Sequence, residues 1–148
     1  MPDAEQITYE SVYRQRLDEK RRVPVPARWR TGKDDFHLMV WQQHAAGICL
    51  RVLTPKAMGE LKAKIQAMPD NPKKAQMKRF IGSQTITVTV DNAGRIAVPE
   101  EMAAAADIKT DAVFVGLLDR FEVWSPERYE RAAELDREAM AEAMQMME

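Results

Sequence analysis

The chain has 148 residues, a formal net charge of -1, 45% hydrophobic residues and one cysteine. A chain of this length can bury roughly 70% of its unfolded surface, so one compact body without disulfides is expected; Cys49 has no intrachain partner and suits a reducing compartment. No apolar run approaches a membrane span, and residues 1–10 are too polar for a secretory leader, so a cytoplasmic protein is expected.

Residues 11–17 alternate, with Val12, Arg14 and Arg16 on one side and Tyr13, Gln15 and Leu17 on the other, which predicts a strand. Residues 18–22 form a loop in which Asp18 can accept hydrogen bonds from amides a few residues on. Residues 23–25 return to an extended path, and Pro24 points to an edge position. Pro26 suits the first turn of a short helix that Gly32 ends. Residues 36–41 and 48–53 read as strands joined by a turn at 44–47. Thr54 and Pro55 open a helix through about residue 67, with Met58, Leu61, Ile65 and Met68 as its apolar stripe. Two prolines with Asp70 and Asn71 read as a linker. Residues 83–90 alternate cleanly, with Ile86, Val88 and Val90 on one face and threonines on the other. Asn92 and Gly94 suit a tight turn with positive φ. A short strand at 96–98, a helix opened by Pro99, strands at 112–118 and 121–124, and a helix capped by Ser125 and running almost to Met147 complete the order. The methionines at its far end suit docking on a neighbour as well as a solvated tail.

The plan is written twice. The segment from Leu17 to Pro26 matches the segment from Val90 to Pro99 at one constant offset, and both keep the frame Asp-x-x-x-Arg, an aliphatic residue, x, Val, Pro. Leu50-Arg51-Val52-Leu53-Thr54-Pro55 likewise matches Phe121-Glu122-Val123-Trp124-Ser125-Pro126. Two copies are too few for a solenoid, so a fused pseudo-dimer sharing one core is expected. The predicted division is a tail at 1–10, a first unit at 11–67, a linker at 68–82, a second unit at 83–130 and a helical extension at 131–148. The fold class is α+β and β-rich.

Charge is distributed unevenly. Residues 14–30 hold seven Lys/Arg against two acids, Lys73, Lys74, Lys78 and Arg79 form a second basic cluster, and the stretch from Asp119 onward holds nine acids and four arginines. Arginine can bridge phosphates or fork onto guanine in the major groove. From spacing alone, Arg22 and Arg95 fit loop-stabilising ion pairs with Asp18 and Asp91 equally well. The second basic cluster reads as a solvated linker face, and Trp29, Trp41 and Trp124 read as core or subunit contacts. His37 and His44 lack companions at metal-ligand spacing, Cys49 sits in an apolar strand, and no phosphate-binding glycine loop or carboxylate dyad is present. No catalytic residue, metal or cofactor is expected, and the chain does not read as an enzyme.

The two Asp-x-x-x-Arg loops, Pro26-Ala27-Arg28-Trp29-Arg30, Cys49-Leu50-Arg51-Val52 and Asp119-Arg120-Phe121-Glu122-Val123-Trp124 together resemble the MraZ family, two tandem SpoVT/AbrB-type swapped-hairpin units in one chain. The resemblance spans about residues 11–130. It implies AbrB-like β-barrel units in one pseudo-dimeric body with flanking helices. It also implies a nucleoid-associated bacterial transcriptional regulator, mainly a repressor. Such a protein binds short direct repeats in the promoter of a division and cell-wall gene cluster as a homo-oligomeric ring, an octamer or dodecamer. Carried over by position, DNA contacts fall to Lys20, Arg21 and Arg22 in the first loop and Arg95 in the second, with Arg14 and Arg16 on the strand leading in. Asp18, Asp91 and Gly94 structure the loops. Two positions depart from the family's Lys-Gly-Arg tip: Arg21 stands where glycine is usual, and Ala93 where lysine is usual. A ring scaffold, or an AbrB-like antitoxin with weakened DNA binding, is the alternative.

Overall fold

The computed structural model describes residues 7–31 and 34–148; the helix stop expected at Gly32 lies outside them. The strands are β1 (Val12–Arg16), β2 (Arg22–Pro24), β3 (Asp35–Trp41), β4 (Cys49–Leu53), β5 (Thr85–Thr89), β6 (Arg95–Ala97), β7 (Asp111–Gly116) and β8 (Phe121–Trp124). The helices are α1 (Pro55–Gln66), α2 (Pro72–Gln84), α3 (Glu100–Ala105) and α4 (Pro126–Gln145), with a 3-10 turn at Ala27–Trp29.

Six strands form one antiparallel sheet in the order β1-β7-β8-β4-β3-β5, and β2 pairs with β6 in a separate ribbon. Exchanging the two copies, so that β1 swaps with β5, β2 with β6, β3 with β7 and β4 with β8, reverses this order onto itself. The sequence repeat is therefore a structural pseudo-two-fold. The first strand of each unit pairs with the third strand of the other, Val12 opposite Val115 and Ile86 opposite Leu38. The hairpins are swapped, and the sheet and ribbon face each other across the core rather than joining in one continuous hydrogen-bonded barrel.

The swap explains the hydrophobic pattern. The central strands β3, β4, β7 and β8 are covered on both faces, so they read as almost unbroken apolar runs. One face, including Phe36, Leu38, Leu50, Val52, Phe114 and Phe121, packs against the ribbon, the 3-10 turn and α3 in a single cluster drawn from both units. The other face meets α1 and α2 through Met39, Leu53, Met58, Ile65 and Ile81. It meets α4 through Cys49, Val113, Trp124 and Ala132. The edge strands β1 and β5 have a partner strand on one side only; β1 alternates between exposed and half-buried residues, β5 does so only in part, and Val12 and Ile86 remain 46% and 43% exposed.

Trp29 stands at the centre of the shared core, with ring centroids 4.9 Å from Phe121, 5.3 Å from Tyr13 and 5.5 Å from Tyr9. Tyr9 was expected in the tail. It is buried instead, bridged to Leu118 by backbone hydrogen bonds in both directions. Gly116 makes this approach possible, because a Cβ there would collide with the Tyr9 carbonyl.

Thr54 and Ser125 cap α1 and α4 by accepting hydrogen bonds from the amides of Ala57 and Arg128, each followed by proline at the first helical position. The segment read as a linker holds most of α2. Its cap obeys the same rule: Asn71 accepts from the Lys74 amide ahead of Pro72. Lys74 is buried and its Nζ donates to the Gln66 carbonyl and the Asp70 carboxylate, tying α2 back onto α1. At the other end, Arg128 holds α4 to the body through the carbonyls of Ile48 and Ala105. No described helix is long and apolar enough to cross a membrane.

Candidate nucleic-acid interface

The two Asp-x-x-x-Arg loops have the same construction. Asp18 Oδ1 accepts from the amides of Lys20 and Arg22, and Asp91 Oδ1 accepts from those of Ala93 and Arg95, all at 2.9 Å. Each aspartate also receives the Nε of the arginine four residues on, Arg22 at 2.6 Å and Arg95 at 3.1 Å. The ion pairs anticipated from spacing therefore form. The aspartate satisfies amides that the turn leaves unpaired and fixes the direction in which the arginine leaves the loop.

The loops are laced together across the pseudo-two-fold. The Gly94 carbonyl accepts from the Val25 amide, and the Arg21 carbonyl accepts from the Val98 amide. Arg22 lies opposite Ala97 in the ribbon, and Arg95 opposite Pro24. Asp18 consequently serves both arginines, with Arg95 Nη1 3.6 Å from the oxygen that Arg22 holds. Both guanidiniums are about one-third exposed. Each uses Nε on its own aspartate. The terminal nitrogens of Arg22 are left for a further acceptor, while Arg95 Nη1 stays near Asp18.

The other residues anticipated at the site occupy different surroundings. Lys20 is exposed at the first loop. With Arg16, Arg22 and Lys109 it borders a depression of about 500 Å³. Arg21 keeps the glycine-like backbone at φ 58°, and its Nε donates to the Val98 carbonyl, so the side chain lies along the other unit. Arg14 is drawn the other way, to Glu130 on α4 at 2.7 Å. Lys109 was not singled out in the sequence. It reaches the site because the Leu17 amide bonds to the Thr110 carbonyl, a contact created by the strand swap.

The backbone amides of Arg22 and Arg95 are the main reason that the carboxyls of Asp18 and Asp91 titrate below the ordinary aspartate range, with the arginine charges adding to them. A carboxyl whose folded value is depressed stabilises the fold above its unfolded value, and that contribution is lost as pH falls through the folded value. Carbon-13 titration of the Asp18 and Asp91 carboxyls should give midpoints below that of an aspartate in an unstructured peptide, with loop amide shifts preserved until those midpoints are crossed. Ordinary midpoints would mean that the loops are not clamped in solution.

Catalytic alternatives find little support. Burial pushes the Cys49 thiol far above its ordinary range, with the Glu122 charge acting in the same direction, so it is no nucleophile. Among the described residues no group of histidine, cysteine and carboxylate side chains is placed to hold a metal.

Two swapped hairpins closed on one core, with paired arginine loops on one surface, define a pseudo-dimeric, β-rich α+β protein. Residues 81–147 match the family model for the MraZ protein, which is described as antitoxin-like. The protein named transcriptional regulator MraZ in Alcanivorax borkumensis is 33% identical over 87% of this chain and 91% of its own length. Its namesake in a Ruegeria species is 30% identical over 90% and 83%. A third, from Halothermothrix orenii, is 29% identical over 90% and 94%. The chain belongs to the MraZ family. These relatives are named as regulators of transcription, in agreement with the reading that the chain is not an enzyme.

Proposed function

We propose that this protein is a sequence-specific DNA-binding regulator, a repressor of a bacterial division and cell-wall gene cluster, that reads short direct promoter repeats through its two Asp-x-x-x-Arg loops. The observation that carries this reading is the pairing of Arg22 and Arg95 around Asp18 on one surface, beside Arg16, Lys20 and Lys109. Aspartate-clamped guanidiniums present their forks with little orientational freedom, which suits guanine edges and phosphates. Arg14, held by Glu130, has the weaker claim.

One chain offers few such cations, too few for tight binding at physiological salt. Identical subunits on one ring meeting repeated sites would raise affinity through effective concentration. Exposed Met140, Met144, Met146 and Met147 on and just beyond α4 supply apolar surface for contact between subunits. Light scattering should report a mass many times 16.9 kDa; a monomer would remove the multivalency argument. Fluorescence anisotropy across a salt series tests the DNA reading. A clear preference for tandem direct repeats over scrambled DNA, lost steeply with salt, is expected. Weak binding without preference would favour the ring scaffold or the antitoxin-like reading.

A further inference from the structure

The two loop tips differ in sequence, yet each carries a guanidinium beyond its Asp-paired arginine. In the first loop the tip residue is Arg21 itself. In the second it is Gly94, buried at φ 79°, and the space a side chain would fill is taken by Arg30, whose guanidinium would collide with a Cβ there. Arg30 follows the 3-10 turn of the first unit and reaches the second unit's loop because β2 and β6 are paired. The same offset that relates Pro26 to Pro99 and Trp29 to Met102 relates Arg30 to Ala103, a small buried residue. The substitutions therefore compensate across the pseudo-two-fold. The large tip residue, Arg21, lies along the second unit, whose counterpart of Arg30 is the small Ala103, and the glycine tip, Gly94, lies under Arg30 of the first unit. The second loop, Asp91-Asn92-Ala93-Gly94-Arg95, has no cation of its own besides Arg95, whereas the first has Lys20, Arg21 and Arg22.

We propose that Arg30 is a DNA-contacting residue of the second loop, its guanidinium supplied by the first unit in place of the positive charge that Asn92 and Ala93 do not provide. The proposal rests on the DNA-binding reading above. Arg30 is half-buried against Gly94, and among the described residues no carboxylate pairs with it. Its charge is therefore open to a phosphate approaching the tip, as an arginine held in one orientation suits.

The test is anisotropy binding of the full-length protein to tandem-repeat DNA over a salt series, with a melting curve for each variant. Arg30→Ala and Arg30→Gln should each lose roughly tenfold in affinity and reduce the salt slope by roughly one per engaged phosphate. Arg30→Lys should recover much of both. Gly94→Ala, which displaces the guanidinium, should weaken binding in the same direction. If Arg30→Gln stays folded and binds with wild-type affinity and slope while Arg22→Ala binds weakly, Arg30 is a packing residue and the proposal is overturned, with the DNA reading intact. If the wild-type protein shows no preference for repeats, the DNA reading fails and takes this proposal with it.

Discussion

Replacing Arg22 and Arg95 together by alanine should lower affinity for tandem-repeat DNA at least about 30-fold, since a specific arginine contact is worth roughly 1–3 kcal/mol and each chain loses two. In an oligomer the loss multiplies over the engaged subunits, so the measured effect should exceed this. The fold should survive, for two reasons. The ion pairs to Asp18 and Asp91 lie at the surface, partly open to solvent, and such pairs contribute little to stability. The aspartates also keep their backbone amide partners when the arginines are gone. Anisotropy titrations beside melting curves separate the two effects. Unchanged affinity in the folded double variant would place the DNA surface elsewhere.

Trp29→Ala should cost about 3–5 kcal/mol, the usual range for emptying a large aromatic site in a core. Against a total stability of roughly 5–15 kcal/mol, that is enough to leave the protein marginal. The size follows from position. Trp29 is 1% exposed, touches Tyr9 and Tyr13 from the chain's start and Phe114 and Phe121 from the second unit, and donates its indole N–H to the Glu10 carbonyl. Because both units wall this site, they should lose stability together, in one transition. Urea unfolding followed by far- and near-ultraviolet circular dichroism measures it. Two separated transitions, or a loss below about 1 kcal/mol, would contradict a shared core.

Much of this architecture is visible in the residues because the chain states it twice. The repeated Asp-x-x-x-Arg frame, the apolar runs of β3, β4, β7 and β8, and the Thr-Pro and Ser-Pro caps are local signals, and each marks what the structure contains. What escaped the sequence depends on contacts between distant segments. Lys109 joins the first loop only because β1 pairs with β7, and Arg30 lies over Gly94 only because β2 pairs with β6. Arg14 shares the alternation of β1 with Arg16, and nothing local reveals that Glu130 on α4 stands within reach. Tyr9 sits in a polar stretch whose composition hides a core residue. α2 is a different case. Its lysines and weak amphipathicity resemble a linker, yet Asn71-Pro72 carries the same cap signal as Thr54-Pro55 at α1 and Ser125-Pro126 at α4.

In the proposed function the loop surface, and not the second basic cluster on α2, meets DNA. Lysine acetylation followed by mass spectrometry, with and without saturating tandem-repeat DNA, tests it most directly, since exposed lysines of both surfaces react in the free protein. Protection of Lys20 and Lys109 with unchanged labelling of Lys73 and Lys78 is the predicted result. Protection of Lys73 and Lys78 with Lys20 and Lys109 still reactive would place the DNA on α2 instead.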